Sequence, residues 1–356
     1  MIASAMEGRV VRRTGRFRPR RAWRGAASTT LALVFFMSLV FFIPTSGEVA
    51  SAGTWTDTSL ADFSQGTAQD IVATAEGTLH LAVNGTVFGK AGVVVPNGPP
   101  GTADSVYART PFVLREADGT YKMWYSGLDG YRNRMLYATS VDGISWTKHG
   151  VIMDVLVPPY YWDSVAGQSV LKINSTYHMW FSAGYWSGGP FTYWAQIYHA
   201  TSRDGVGWDV SGVALPPNQA WDIGLVGTPW VVQDDAGLFW LFIGGWDGSS
   251  TRIGVATSEN GTSFVPYAGN PIIDLGASGA WDSLDTNTPA VIPGSPWGMF
   301  FAGDEYRGTA SIGIATSDDG LNWTKFPFNP VIVPDPAPAF DSQAVYTPDP
   351  IEDPSG

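Results

Sequence analysis

Three short stretches put carboxylates beside aromatic rings and arginines: Asp129-Gly130-Tyr131-Arg132 with Arg134, Trp246-Asp247, and Asp304-Glu305-Tyr306-Arg307. Trp186 lies in a similar Gly-rich stretch, and Arg109, Gln168, Asp285, Asn287 and Tyr346 stand at positions that differ between otherwise repeated segments. Aromatic faces stack on sugar rings, and planar charged groups hydrogen-bond sugar hydroxyls, so this mixture around a concavity suits a carbohydrate. A carboxyl group in such surroundings can also move protons, because burial and a neighbouring like charge raise its pKa. Beyond residue 52 the glutamates are Glu76, Glu116, Glu259, Glu305 and Glu352, and of these Glu305 alone falls in the three stretches. The four histidines, His80, His149, His178 and His199, show no metal-ligand spacing.

The elements that must hold these residues recur. Asp104, Asp163, Asp222, Asp282 and Asp341 are separated by 59, 59, 60 and 59 residues. Behind each of the first four comes an aromatic run, Tyr121–Gly127, Tyr177–Ser182, Leu238–Gly244 and Trp297–Gly303. A run ending in Ala-Thr-Ser follows, at Ser140, Ser202, Ser258 and Ser317. Last comes a turn with an aromatic residue: Asp142-Gly143…Trp146, Asp204-Gly205…Trp208, Asn260-Gly261…Phe264 and Asp319-Gly320…Trp323. Short alternating runs bounded by Gly, Pro, Asp and Ser read as strands. Self-similarity of one four-stranded unit at a fixed period predicts an all-β fold, a β-propeller with one antiparallel blade per unit. An ion such as calcium on the propeller axis stays open as an alternative to a fold without cofactor.

Strand direction separates structural from functional positions. The start of strand 1 and the strand 2–3 loop share one end of a blade, and the strand 3–4 turn lies at the other. The repeated Asp-Gly turns are therefore structural, with the Asp side chain bonding nearby amides and glycine accepting a positive φ. The recurring entrance aspartates read as loop caps. The residues that vary are the binding candidates: Arg109, Gln168, Arg132, Trp186, Trp246, Asp247, Asn287, Asp304 and Tyr346. A repeat departs from its own rule where it has a task.

Residues 1–52 read as a secretory signal peptide rather than as fold. Eight arginines lie between Arg9 and Arg24, Leu31 to Ile43 is apolar apart from Ser38, and Ala50-Ser51-Ala52 offers a cleavage site. The alternative is an uncleaved anchor over 27–44, the one route by which a membrane enters. Of 20 basic and 32 acidic residues, 8 and 2 fall in this segment, which leaves residues 53–356 with 12 against 30 and a net charge of −18. That balance excludes nucleic acid as a partner. There is no cysteine, so an exported chain must rely on its core. The expected form is a monomer.

The propeller domain spans 53–356. Phe88–Pro96 resembles the segments after Trp146 and Trp323, and Phe340–Asp349 reads as an innermost strand with no blade behind it. The expectation is a fifth blade shared by both ends, with outer strands from 69–95 and the inner strand from 341–351. Such closure removes the open edge.

The run Tyr121-Lys-Met-Trp-Tyr-Ser-Gly127…Tyr137-Ala-Thr-Ser140-Val-Asp142-Gly143…Trp146 resembles the five-bladed glycoside hydrolase superfamily, which holds arabinanases and xylosidases of family 43, invertase-like enzymes and family 130 mannoside phosphorylases. The resemblance covers about 104–351 and more weakly 69–103. It implies an Asp base, a second Asp and a Glu acid on inner strands of different blades, often just before a proline. The matching positions here hold Thr110, Thr228, Thr288 and Thr347, with Ser169 in the unit that lacks the proline. Under that resemblance the chemistry falls to displaced residues, Glu305 as acid and Asp285 or Asp129 as base. Three readings follow: a secreted glycoside hydrolase, a glycan-binding propeller without catalysis, and a phosphorylase using Arg109, Arg132, Arg134 and Arg307.

Overall fold

The computed structural model describes residues 38–40, 70–73, 79–82, 92–186, 193–337 and 339–351. Among them there is no helix, and so no helix long and apolar enough to cross a membrane. The first strands are β1 (Ser38–Val40) and the hairpin β2 (Asp70–Ala73) and β3 (Leu79–Ala82). Four units follow. The first holds β4 (Tyr107–Arg115), β5 (Tyr121–Leu128), β6 (Asn133–Ser140) and β7 (Thr147–Met153). The second holds β8 (Ser164–Ile173), β9 (Thr176–Trp186), β10 (Tyr193–Ser202) and β11 (Asp209–Leu215). The third holds β12 (Leu225–Gln233), β13 (Phe239–Trp246), β14 (Thr251–Ser258) and β15 (Val265–Pro266). The fourth holds β16 (Asp285–Ile292), β17 (Trp297–Asp304), β18 (Ser311–Ser317) and β19 (Thr324–Lys325), and β20 (Tyr346–Asp349) ends the series.

Each repeat is one four-stranded antiparallel meander, as its sequence predicts. The first two also touch through a bridge between Asn133 and Ser164. Strand 2 of each unit is buried along most of its length, which is why it reads as an aromatic run rather than as an alternation. Trp124 and Trp180 are fully buried and donate their indole N–H to Gly205 O and Gly261 O in the following unit's turn, each at 2.7 Å. Those tryptophans are wedges between sheets.

The turns behave as their residues dictate. Asp142, Asp204 and Asp319 each accept the N–H groups two and three residues on, and the preceding serine accepts the glycine N–H. Trp146, Trp208 and Trp323 then donate to the turn glycine's carbonyl. At the opposite end Asp104, Asp222 and Asp282 are buried caps. Asp222 takes the amides of Asn218 and Gln219, while Lys148 and Lys325 reach Asp104 at 2.7 Å and Asp282 at 2.5 Å. The Trp-Thr-Lys run thus ties strand 4 back to its own unit's entrance.

The ends differ from expectation. Among the described residues β20 pairs in parallel with β1, and β2–β3 is a separate hairpin, so the expected shared sheet of 69–95 with 341–351 is not confirmed; residues 74–78 and 83–91 of it lie outside the described residues. The apolar segment read as the core of a signal peptide supplies β1; the rest of 1–52 lies outside the described residues.

Candidate functional site

Register builds the most distinctive cluster. Asp285 opens β16 and Asp304 closes β17, and the two are direct cross-strand partners. Tyr346, at the start of β20, donates its hydroxyl to Asp304 Oδ2 at 2.7 Å. Asp304 is 5% exposed, and its Oδ1 has no partner of normal hydrogen-bond geometry. Burial pushes the Asp304 carboxyl up to about 7; the Asp285 charge adds to this, while the Tyr346 hydroxyl and the Arg307 charge oppose it. Burial also raises Asp285, whose Oδ1 accepts the Thr251 N–H at 2.6 Å. The Tyr346 hydroxyl is raised by its own burial and by the Asp304 charge beneath it. Arg307 is exposed and anchored by a bond from Nη2 to Ser249 O at 2.8 Å.

Glu305, the expected acid, is the residue after the strand ends and is only partly buried. The buried, proton-retaining carboxyl is its neighbour Asp304. The strand end explains the difference: β17 stays buried from Gly298 through Asp304, and Glu305 lies in the bend beyond it. The register depends on the bulge between Asn287 and Ala290, which lets Asp285 face Asp304 although the two strands are of unequal length to the hairpin.

Asp129, the alternative base, is a loop cap. Its Oδ1 accepts the N–H groups of Tyr131 and Arg132, its Oδ2 pairs with Arg134 at 2.6 Å, and that arginine holds its carboxyl down at about 2. Asp247 repeats the device: it takes the Ser249 and Ser250 amides and pairs with Arg252 at 2.6 Å. Each arginine also reaches a second carboxylate, Arg134 to Asp154 at 2.7 Å and Arg252 to Asp274 at 2.8 Å. A carboxylate with this many donors makes a poor base.

The other candidates are scattered. Arg109 is buried over the Tyr107 ring at 4.0 Å, with Asn133 at 3.4 Å from its Nη2. Gln168 does not line up with it. The second unit's bulge holds Gly167 alone where the others hold Thr-Pro, which moves Gln168 inward, and its Nε2 bonds Thr110 O and Trp124 O at 2.5 Å. Asn287 accepts from Thr228 Oγ1 at 3.0 Å and from the Thr288 N–H at 2.8 Å. Arg132 is exposed, and the partly buried Trp246 covers Gly224, where an added Cβ would meet the indole at 2.4 Å. Trp186 ends β9, and its side chain lies outside the described residues.

Sequence reading missed the strain on the inner strands. Thr110, Thr228, Thr288 and Thr347, each preceding a proline, have φ of 48°, 48°, 49° and 49°, and Gly167 has φ 57°. A β-branched residue in the left-handed region is an outlier, and its cost is of order 1–3 kcal/mol. Among the described residues no three His, Cys, Asp or Glu side chains stand together to hold a metal ion.

Residues 166–325 match the family model described as "Glycosyl hydrolases family 32 N-terminal domain". Uncharacterised proteins of Mycobacterium tuberculosis, from strains CDC 1551 / Oshkosh and ATCC 25618 / H37Rv, are 31% identical over 163 residues and 30% identical over 169. Each match covers 42% of this chain, and the chain spans about half the length of these relatives. In structure the chain is similar to a glycoside hydrolase, with a TM-score of 0.54 and 18% identity over 67% of this chain and 78% of that one. It is also similar to a thermostable family-43 glycoside hydrolase, with a TM-score of 0.52 and 18% identity over 64% and 74% of the two chains. At such identity the likeness is one of fold. The resemblance to the propeller glycoside hydrolase superfamily is borne out, by the match of residues 166–325 to the family 32 model and by the likeness of fold.

Proposed function

We propose that the protein is a secreted glycoside hydrolase whose working groups are Asp304 as acid and Asp285 as its carboxylate partner. The observation that carries this reading is a buried carboxyl with a pKa of about 7 directly across from a second acid. Asp304 gives its proton to the glycosidic oxygen as the bond to the anomeric carbon breaks, and Asp285 attacks that carbon to form a glycosyl ester. Asp304, now ionised, takes a proton from the water that hydrolyses the ester. Facing residues on paired strands have Cβ atoms about 4.5–5.5 Å apart. Retaining pairs hold their carboxyl groups ~5–5.5 Å apart and inverting pairs ~6.5–9.5 Å, and a direct cross-strand pairing favours the closer class. Tyr346 keeps the Asp304 carboxyl oriented, and Arg307 supplies a cation at the rim.

A five-unit ring is part of the proposal. Ser169 Oγ in β8 accepts the Val231 N–H of β12 at 2.9 Å. In the same way Asp349 Oδ2 in β20 accepts the Val113 N–H of β4 at 2.6 Å. With Gln168 joining β8 to β4, Trp230 Nε1 joining β12 to Val291 O at 2.8 Å, and Tyr346 joining β20 to β17, the bonds run from the last inner strand back to the first. Export rests on the basic, apolar and small-residue order of 1–52.

A glycan-binding propeller is the second reading, favoured by threonines at all four pre-proline positions. A phosphorylase keeps less support, because Arg134, one of its four arginines, is held between two carboxylates. The test is turnover of a panel of aryl glycosides and oligosaccharides by the wild type, Asp304→Asn, Asp285→Asn and Glu305→Gln. The expected result is turnover by the wild type and Glu305→Gln alone. Turnover surviving in Asp304→Asn would remove the acid assigned here. No turnover by any of them, with tryptophan fluorescence responding to a sugar, would favour the binding propeller.

A further inference from the structure

The entrance end of the first two units carries an aromatic surface remote in sequence from the carboxyl pair. Tyr131 is 92% exposed at the tip of the β5–β6 loop, and Tyr161 is 55% exposed in the β7–β8 connection. The two loops leave the sheets from bridged positions, since Asn133 and Ser164 pair and Asn133 Nδ2 donates to Ser164 Oγ at 3.2 Å. Tyr131 is two residues from one member of that bridge and Tyr161 three from the other. Arg134 ties the loops again by holding Asp129 in the first and Asp154 in the second.

Both rings stand on rigid supports. Asp129 fixes the Tyr131 and Arg132 amides. In the second loop Leu156 and Tyr161 have φ of 56° and 54°, the Leu156 N–H bonds Trp162 O at 2.8 Å, and the Tyr161 N–H bonds Val157 O at 2.9 Å. Tyr160 stacks on buried Trp162 at 4.4 Å, and the Tyr185 hydroxyl holds Tyr160 O at 2.6 Å. The same turn thus packs Tyr160 against Trp162 and holds the neighbouring Tyr161 ring outward, 55% exposed. The third unit makes the comparison: it has the same Asp247–Arg252–Asp274 clamp, yet Ser249 stands where Tyr131 stands.

We propose that Tyr131 and Tyr161, flanked by Arg132, form a stacking platform for the distal units of a polysaccharide chain. Rigid, exposed tyrosines provide flat apolar faces with polar tips and lose little entropy on binding, which suits a run of pyranose or furanose rings. The platform rests on the reading of the protein as carbohydrate-active but uses none of the residues of the acid–base pair. It would set a preference for long over short glycans without altering bond cleavage.

Affinity electrophoresis of the full chain in gels containing arabinan, xylan, levan or mannan tests this, alongside turnover of aryl monoglycosides. For a polysaccharide that retards the wild type, Tyr131→Ala/Tyr161→Ala should weaken retardation about tenfold, as expected for losing two stacked rings. Tyr131→Phe/Tyr161→Phe should restore it, and monoglycoside turnover should stay unchanged. Tyr131→Ala alone, at a site that packs against nothing, should show a partial loss and guards against misfolding of the double variant. Unaltered retardation in the alanine variants, or no retardation of the wild type by any of the four, would overturn the platform. Monoglycoside turnover persisting in that second case would leave the hydrolase reading standing.

Discussion

Asp304 is held in a conformation that favours its proton. A carboxyl whose folded pKa lies above its unfolded value stabilises the fold fully below about pH 4, and that contribution is lost as pH rises through the folded pKa of about 7. Asp304→Asn should therefore unfold at a temperature a few degrees above the wild type at pH 8, with a much smaller difference at pH 4, read by thermal denaturation. The same substitution should lower kcat by about 10²–10⁴ as a lost general acid. The pH dependence has a definite sign as well. Activity should fall as pH rises through about 7, when Asp304 ionises, and this limb should be absent in any residual activity of the asparagine variant.

At the scale of elements, the strands and the Asp/Asn-Gly turns were legible because each is a local rule repeated four times. What was not legible depends on one residue more or less in a bulge. The second unit has Gly167 in place of Thr-Pro, which turns Gln168 from a binding candidate into a bracket for its neighbour's backbone. The buried carboxyl is Asp304 rather than Glu305, one position on, because β17 stays buried through Asp304 and Glu305 lies past its end. The strained threonines left no trace in composition, since threonine is an ordinary strand residue. Their strain is testable: Thr288 has φ 49° and a buried hydroxyl without a hydrogen bond, so Thr288→Gly should cost nothing or stabilise by about 1 kcal/mol. Ser140→Ala, which leaves the Gly143 N–H of a turn without its acceptor, should instead destabilise by about 1 kcal/mol. Urea midpoints of the two variants check both.

For the whole molecule the issue is how the last inner strand meets the first. Asp349 is buried, burial raises its pKa well above the usual range, and it accepts the Val113 N–H. Asp349→Ala removes that acceptor from a buried amide, which should cost about 1–3 kcal/mol and speed hydrogen exchange along Tyr107–Arg115 more than along Leu225–Gln233. Uniform exchange in both strands would argue against a closing contact there. The central claim, however, concerns Asp304, and it can be tested without a substrate. A 13C NMR titration of aspartate carboxyls, with Asp304→Asn to assign the resonance, measures the group directly. A midpoint near 7 that disappears in the variant is the predicted result; a midpoint near 4 would mean that Asp304 is ionised at neutral pH and cannot serve as the acid.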